Sequence, residues 1–299
     1  MYRCALLTLF VLTSQASCRD TSVPSDPDAR IVAPLIDAAF VPGIDAGPPG
    51  VHVEPTAAGI EYFSDISDGL TDSALVGALH TKLAGDHVEL SFASLYSHYE
   101  TTDGNRDGCN GIFDFYSSKC WAPEEACGNY MREGDCFNRE HSWPKSWWGG
   151  GTGPDQHQDL IAVIPADGYV NNQRGQLPLG EVSGTTYNST NGSRIGNCAS
   201  LGIATSQRCF EPPNNLKGDM ARIYFYMAVR YEGEFGCCSE LSVEKSNLNQ
   251  WQENQLRLWH NDDPVDVWER ERNERVFGLQ RNRNPFVDFP AYVDRISDF

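Results

Sequence analysis

A carboxylate and an imidazole stand side by side at Glu140 and His141, within Phe137-Asn-Arg-Glu-His-Ser-Trp-Pro-Lys-Ser146. Phe137, Trp143, Pro144, Trp147 and Trp148 surround the pair with apolar bulk. Further along, Pro165-Ala-Asp-Gly-Tyr-Val-Asn-Asn-Gln-Arg174 offers side-chain amides, two of them adjacent asparagines, and a guanidinium. A hard oxygen ligand, a base and a second oxygen ligand are what metal-assisted hydrolysis of a phosphodiester requires. A single Glu-His pair beside aromatics is more often a hydrogen-bonded core pair, so the chemistry depends on its wider context.

That context is a set of elements able to bring the two segments together. Residues 159–164, Asp-Leu-Ile-Ala-Val-Ile, have the pattern of a short buried strand. Pro165 then suits the first turn of a helix. On that helix Asn171 and Arg174 are three residues apart and share a face. Strand, loop, strand and helix would thus enclose Glu140 to Arg174, with Asp159 or a backbone carbonyl orienting the imidazole from behind.

Around this unit the chain is largely helical. Leu75, Leu79 and Leu83 give residues 69–83 an amphipathic helix capped by Thr71 or Asp72, with His80 as a partly buried structural residue. Residues 219–232 carry one apolar stripe between an Asp219 cap and a Gly233 stop. Further helices are expected at 247–260 and from Asp263-Pro264 onward, the latter carrying Val267, Trp268 and Phe277. Residues 101–136 read as irregular structure pinned by disulfides, and 183–197 as a Gly-, Asn- and Thr-rich surface loop clipped by Cys198 and Cys209. Asp103-Gly-Asn-Arg-Asp-Gly108 has the look of a calcium loop but lacks its closing glutamate. His157 and His260 read as surface residues.

The first eighteen residues pair one arginine with an apolar run and small residues, as in a secretory signal. Cleavage after Ala16 competes with lipidation of Cys18. The Pro/Asp/Ala-rich linker at 19–57 resembles a tether and favours the lipid anchor. Eight cysteines follow the signal region, an even set suited to disulfides in an exported chain, with Cys237 and Cys238 expected to bond different partners. A zinc site lacks the tight cysteine spacing it would need.

A formal charge of −18 speaks against simple nucleic-acid affinity, which rests on cationic neutralisation of phosphates. Arginines gathered in the last third leave room for a local positive cleft. Around 269–275 they read instead as partners of Glu269, Glu271 and Glu274 along a solvated helix face.

Five ordered segments resemble the bacterial endonuclease I family: 138–147, Val170-Asn-Asn-Gln-Arg174, 217–227, 263–269 and 282–288. The likeness runs from about residue 60 to 290. It implies an α+β fold: a mixed helical, disulfide-stabilised domain over 58–299 with a ββα-metal (His-Me finger) core. It also implies non-specific cleavage of DNA, and often RNA, with Mg²⁺ or another divalent ion such as Ca²⁺ or Mn²⁺, leaving 5′-phosphate ends. By position His141 matches the general base, and Glu140 and Asn171 the metal ligands. Arg174 is expected to act beside them, Arg139 and Lys145 to hold substrate, and Asp159 to support the imidazole. The chain departs from the family at Ile161, where a histidine often stands, and it lacks an internal phosphate-steadying arginine, a place Lys145 or Arg174 would fill.

Two functions follow. One is an exported, monomeric, metal-dependent nuclease, periplasmic, extracellular or tethered by lipid at the outer surface. The other is a surface lipoprotein that keeps the fold as a non-catalytic binding module, a reading prompted by the acidity and the missing histidine. A metallopeptidase or Cys-His hydrolase would need a two-histidine helix or an activated thiol.

Overall fold

The computed structural model describes residues 54–299, apart from 153 and 154. The expected signal, Cys18 and residues 19–53 of the expected linker lie outside the described residues. Helix α1 (Ala57–Tyr62) is followed by α2 (Asp72–Asp86) and α3 (Leu95–Thr102). Leu75, Leu79 and Leu83 are fully buried on α2, as their four-residue spacing predicts. His80 bonds the carbonyls of Val229 and Arg230 through Nδ1, so it is a structural residue.

Residues 101–136 hold only the short pair β1 (Ile112–Phe113) and β2 (Cys120–Trp121). The Cys109–Cys120 and Cys127–Cys136 disulfides pin this segment. Asp103 is bound to Arg272 and Thr102, so the calcium-like loop spends its first carboxylate inside the protein.

Strand β3 (Phe137–His141) pairs antiparallel with β4 (Val163–Asp167), placing Glu140 opposite Ile164 and His141 opposite Val163. The expected strand at 159–164 therefore begins four residues late, because 159–162 form a turn. Pro165 sits mid-strand opposite Arg139, not in a helix. Proline cannot donate to a ladder, yet a two-stranded sheet has only edge strands, which tolerate it. Helix α4 (Gly168–Arg174) starts directly after β4, its first amides taken by the Asp167 carboxylate.

Residues 183–197 are not a loop. Strands β5 (Val182–Asn188), β6 (Arg194–Cys198) and β7 (Arg208–Glu211) form a sheet in that order. Asn191-Gly192 lies in the turn between the first two, with Gly192 at φ +93°. The Cys198–Cys209 disulfide ties β6 to β7. Closing a loop of this length contributes about 3 kcal/mol through the unfolded chain. We expect the double Cys198→Ala, Cys209→Ala protein to unfold at clearly lower urea, and an unchanged midpoint would contradict this.

Helix α5 (Lys217–Arg230) is buried at all of its positions, with α2 and α6 (Gln250–Asp262) packed against it. The hairpin β8 (Val243–Glu244) and β9 (Asn247–Leu248) leads into α6, and α7 (Val267–Gln280) and α8 (Pro285–Asp288) close the core. Cys237 and Cys238 bond each other, because the other six half-cystines are already paired. The charges of α7 are mostly internal and bridge elements. Arg222 pairs with Glu269, Arg272 with Asp103, and Arg283 with Glu274 and Asp288. Of the expected solvated pairs, Arg275–Glu271 is the local one found. Among the described residues no helix is long and apolar enough to cross a membrane.

Candidate active site

Strand β3 sends alternate side chains to opposite faces, and α4 lies against one of them. Asn138 and Glu140 meet α4 there. The Asn171 Nδ2 donates to Asn138 Oδ1 at 2.8 Å, and Arg174 Nη1 donates to Glu140 Oε1 at 2.6 Å. The three-residue spacing on the helix thus matches the two-residue spacing on the strand. Arg139 and His141 face the other way, towards Phe92. Glu140, His141, Asn171, Arg139 and Lys145 nevertheless all border one open cleft of about 490 Å³.

Burial pushes the Glu140 carboxyl above its ordinary value, and the Arg174 guanidinium and the Tyr116 hydroxyl offset part of that rise. The bond of 2.6 Å to a permanently cationic group favours the carboxylate form. Both bonds fall on Oε1, which leaves Oε2 outside this network. The Asn171 amide donates through nitrogen, and its Oδ1 accepts no hydrogen bond from the described residues. Two hard oxygens on one cleft fit a small divalent cation that keeps several waters. Among the described residues no group of three or more His, Cys, Asp or Glu side chains forms a closed metal cage.

The imidazole of His141 is held from behind. Its Nε2 lies 3.0 Å from the carbonyl oxygen of His157, which only accepts, so Nε2 carries the proton. Nδ1 then holds the lone pair and makes no hydrogen bond to the described residues. Burial pushes the imidazole down to about 4, so it is neutral at pH 7. A neutral, singly oriented imidazole is the form a general base requires.

Asp159 does not support that ring. It accepts bonds from Tyr226, Tyr231, Gln280 and the Ile161 amide, locking the 159–162 turn to α5 and α7. Of the two alternatives the sequence left open, the backbone carbonyl is the group found behind the imidazole. Arg174 is fully buried and spends its guanidinium on Glu140, the carbonyls of His141 and Ser142, and the Tyr224 hydroxyl. Its remaining donor, Nε, is buried without a partner among the described residues, and Arg174 does not line the cleft, so it is not placed to hold phosphate.

Two cations do border the cleft without a carboxylate partner among the described residues. Arg139 lies on the Phe92 ring at 3.7 Å and the Tyr96 ring at 4.3 Å, with Nη1 donating to the Phe92 carbonyl. Lys145 opens the single-turn helix Lys145–Trp148, and its ammonium makes no ion pair. The site is thus locally positive on an acidic protein. Ser146 bonds Gln176 and ties the two rims together.

His157 and His260 are both buried, against expectation. His157 belongs to the site and His260 packs near Arg222 and Phe225. Sequence reasoning also missed Tyr116 and Phe92, which come from remote segments without a local motif, and gave Tyr224, inside the 217–227 segment, no role at the site.

The sequence model of the endonuclease I family matches residues 71–291. An extracellular ribonuclease of Bacillus amyloliquefaciens is 33% identical over 249 residues, covering 82% of this chain and 80% of the relative. One from Bacillus subtilis is 34% identical over 235 residues, covering 77% and 76%. An extracellular deoxyribonuclease of Aeromonas hydrophila is 30% identical over 131 residues, covering 44% of this chain and 49% of the relative. On the span of the family match, which takes in the whole β3–β4–α4 unit, this chain belongs to the endonuclease I family.

Proposed function

We propose that the protein is an exported, non-specific nuclease that hydrolyses phosphodiester bonds of DNA, and of RNA, around a ββα-metal core formed by β3, β4 and α4. The observation that carries this reading is the convergence of Glu140, His141 and Asn171 on one cleft. The names of its relatives support the same class, covering both nucleic acids and extracellular or periplasmic locations. A monomer, with Cys18 as lipid acceptor, belongs to the same reading.

Glu140 Oε2 and Asn171 Oδ1 would hold Mg²⁺ or a similar divalent ion. When bound, the ion supplies positive charge to the phosphoryl oxygens and the departing 3′ oxygen. The protein supplies the rest. His141 Nδ1 takes the proton of a water as its oxygen bonds to phosphorus, and the bond from phosphorus to the 3′ oxygen breaks. The phosphate remains on the 5′ side. Arg139, already fixed on Phe92 and Tyr96, and the ammonium of Lys145 hold the non-bridging oxygens, the place first assigned to Lys145 or Arg174. Arg174 acts one step back, by aiming Glu140.

Supercoiled plasmid and structured RNA, each incubated with Mg²⁺ or with chelator, test the reading. Nicking and degradation with Mg²⁺, lost in chelator and restored by excess metal, are expected. Intact substrates across Mg²⁺, Ca²⁺ and Mn²⁺ would favour the non-catalytic binding module instead.

A further inference from the structure

His157 contributes more than a carbonyl to the site. It ends a single helical turn, Asp155–His157, which is pinned from two sides. Arg230 of α5 bonds Asp155 at 3.1 Å, and Gln158 bonds Glu89. Its side chain is 5% exposed. The ring stacks on Phe92 with centroids 4.1 Å apart, and on His141 at 5.0 Å with planes 14° apart. Phe92 also lies nearly parallel to His141 at 5.4 Å, while Trp148 meets it edge-on at the same distance. The catalytic imidazole therefore has the near-parallel Phe92 and His157 rings together on one side and meets Trp148 edge-on.

One hydrogen bond to a carbonyl fixes the direction of Nε2 but leaves the ring free to rotate about that axis. Rotation would swing Nδ1 away from an attacking water, and misplacing a reacting group by about 1 Å can cost about a hundredfold. Stacked planes restrict that rotation. The His157 Nδ1 is buried and makes no hydrogen bond to the described residues, so hydrogen bonding by that nitrogen does not explain why an imidazole stands here. Burial and the nearby Lys145 and Arg139 cations push its protonation down, so it stacks as a neutral ring.

We infer that the His157 side chain is a positioning residue that fixes the plane of His141 for proton transfer. The inference rests on the nuclease reading of the site. It asks for a flat ring at 157 and not for an imidazole. His157→Phe keeps the plane and the carbonyl and removes the unbonded nitrogen. His157→Leu fills the volume without a plane.

Steady-state cleavage of a defined oligonucleotide with Mg²⁺, alongside the melting temperature of each protein, decides the matter. We expect the phenylalanine protein to keep kcat within about threefold and to melt no lower than wild type. The leucine protein should lose about tenfold or more in kcat, with KM within about twofold. His157→Ala, which empties the place, is read the same way and carries the test if the leucine protein does not fold. Leucine or alanine proteins with wild-type kcat would overturn the inference. So would a folded phenylalanine protein that loses as much as they do. A wild-type protein that cuts nothing would overturn the nuclease reading instead.

Discussion

His141→Ala abolishes cleavage to within about 10²–10⁴-fold below wild type while KM and the melting temperature change little. The direction follows from what the ring does and does not hold up. It is half-buried, makes one hydrogen bond, and rests on the rings of Phe92, His157 and Trp148, which remain packed on their own neighbours. In the proposed reaction phosphate attachment would fall to Arg139 and Lys145, and ion binding to Glu140 and Asn171, so neither would depend on the imidazole. The cleft is open, at about 490 Å³, so imidazole added to the alanine protein can enter and restore part of kcat. An alanine variant that nicks plasmid at the wild-type rate would remove His141 from the reaction.

The candidate pair on the cleft was legible because its residues are neighbours in sequence. Adjacent Glu140 and His141 sit on one strand, and the three-residue spacing of Asn171 and Arg174 gives them a common helix face. Regular amphipathic helices were legible for the same reason: Leu75, Leu79 and Leu83 repeat with the helix period. Residue 165 misled because proline suits both the first turn of a helix and an edge strand, and the choice depends on strand pairing with Arg139. The hairpin at 182–198 carried an Asn-Gly turn signal that its polar composition obscured. His157 was illegible. Nothing in Asp155-Gln-His marks a ring that crosses from a turn to stack on β3, since that contact is made by α5 anchoring the turn. The arginines of the last third misled in the opposite way: sequence neighbours offered partners at helix spacing, while burial selected partners from distant elements.

Those internal ion pairs set up the second large effect. Replacing Arg174 by methionine removes a cation that makes four bonds inside the protein and leaves the buried Glu140 with the Tyr116 hydroxyl and the His141 amide, and no cation. Breaking one half of a buried pair destabilises by about 3–5 kcal/mol, because the remaining charge has lost both water and partner. We expect the urea midpoint to fall accordingly and cleavage to be lost with it, as Oε2 is no longer aimed at the cleft. Lysine should be a poor substitute, since one ammonium cannot reproduce the fork that reaches two carbonyls and a carboxylate. The double variant Arg174→Met, Glu140→Gln separates the two consequences. Neutralising the orphaned carboxylate should return part of the lost stability, whereas activity stays absent because the anionic oxygen is gone. If Arg174 acted on substrate directly, its loss would raise KM at unchanged stability, and the glutamine partner would restore nothing. Its complete burial and its 2.6 Å bond to Glu140 argue for the first outcome.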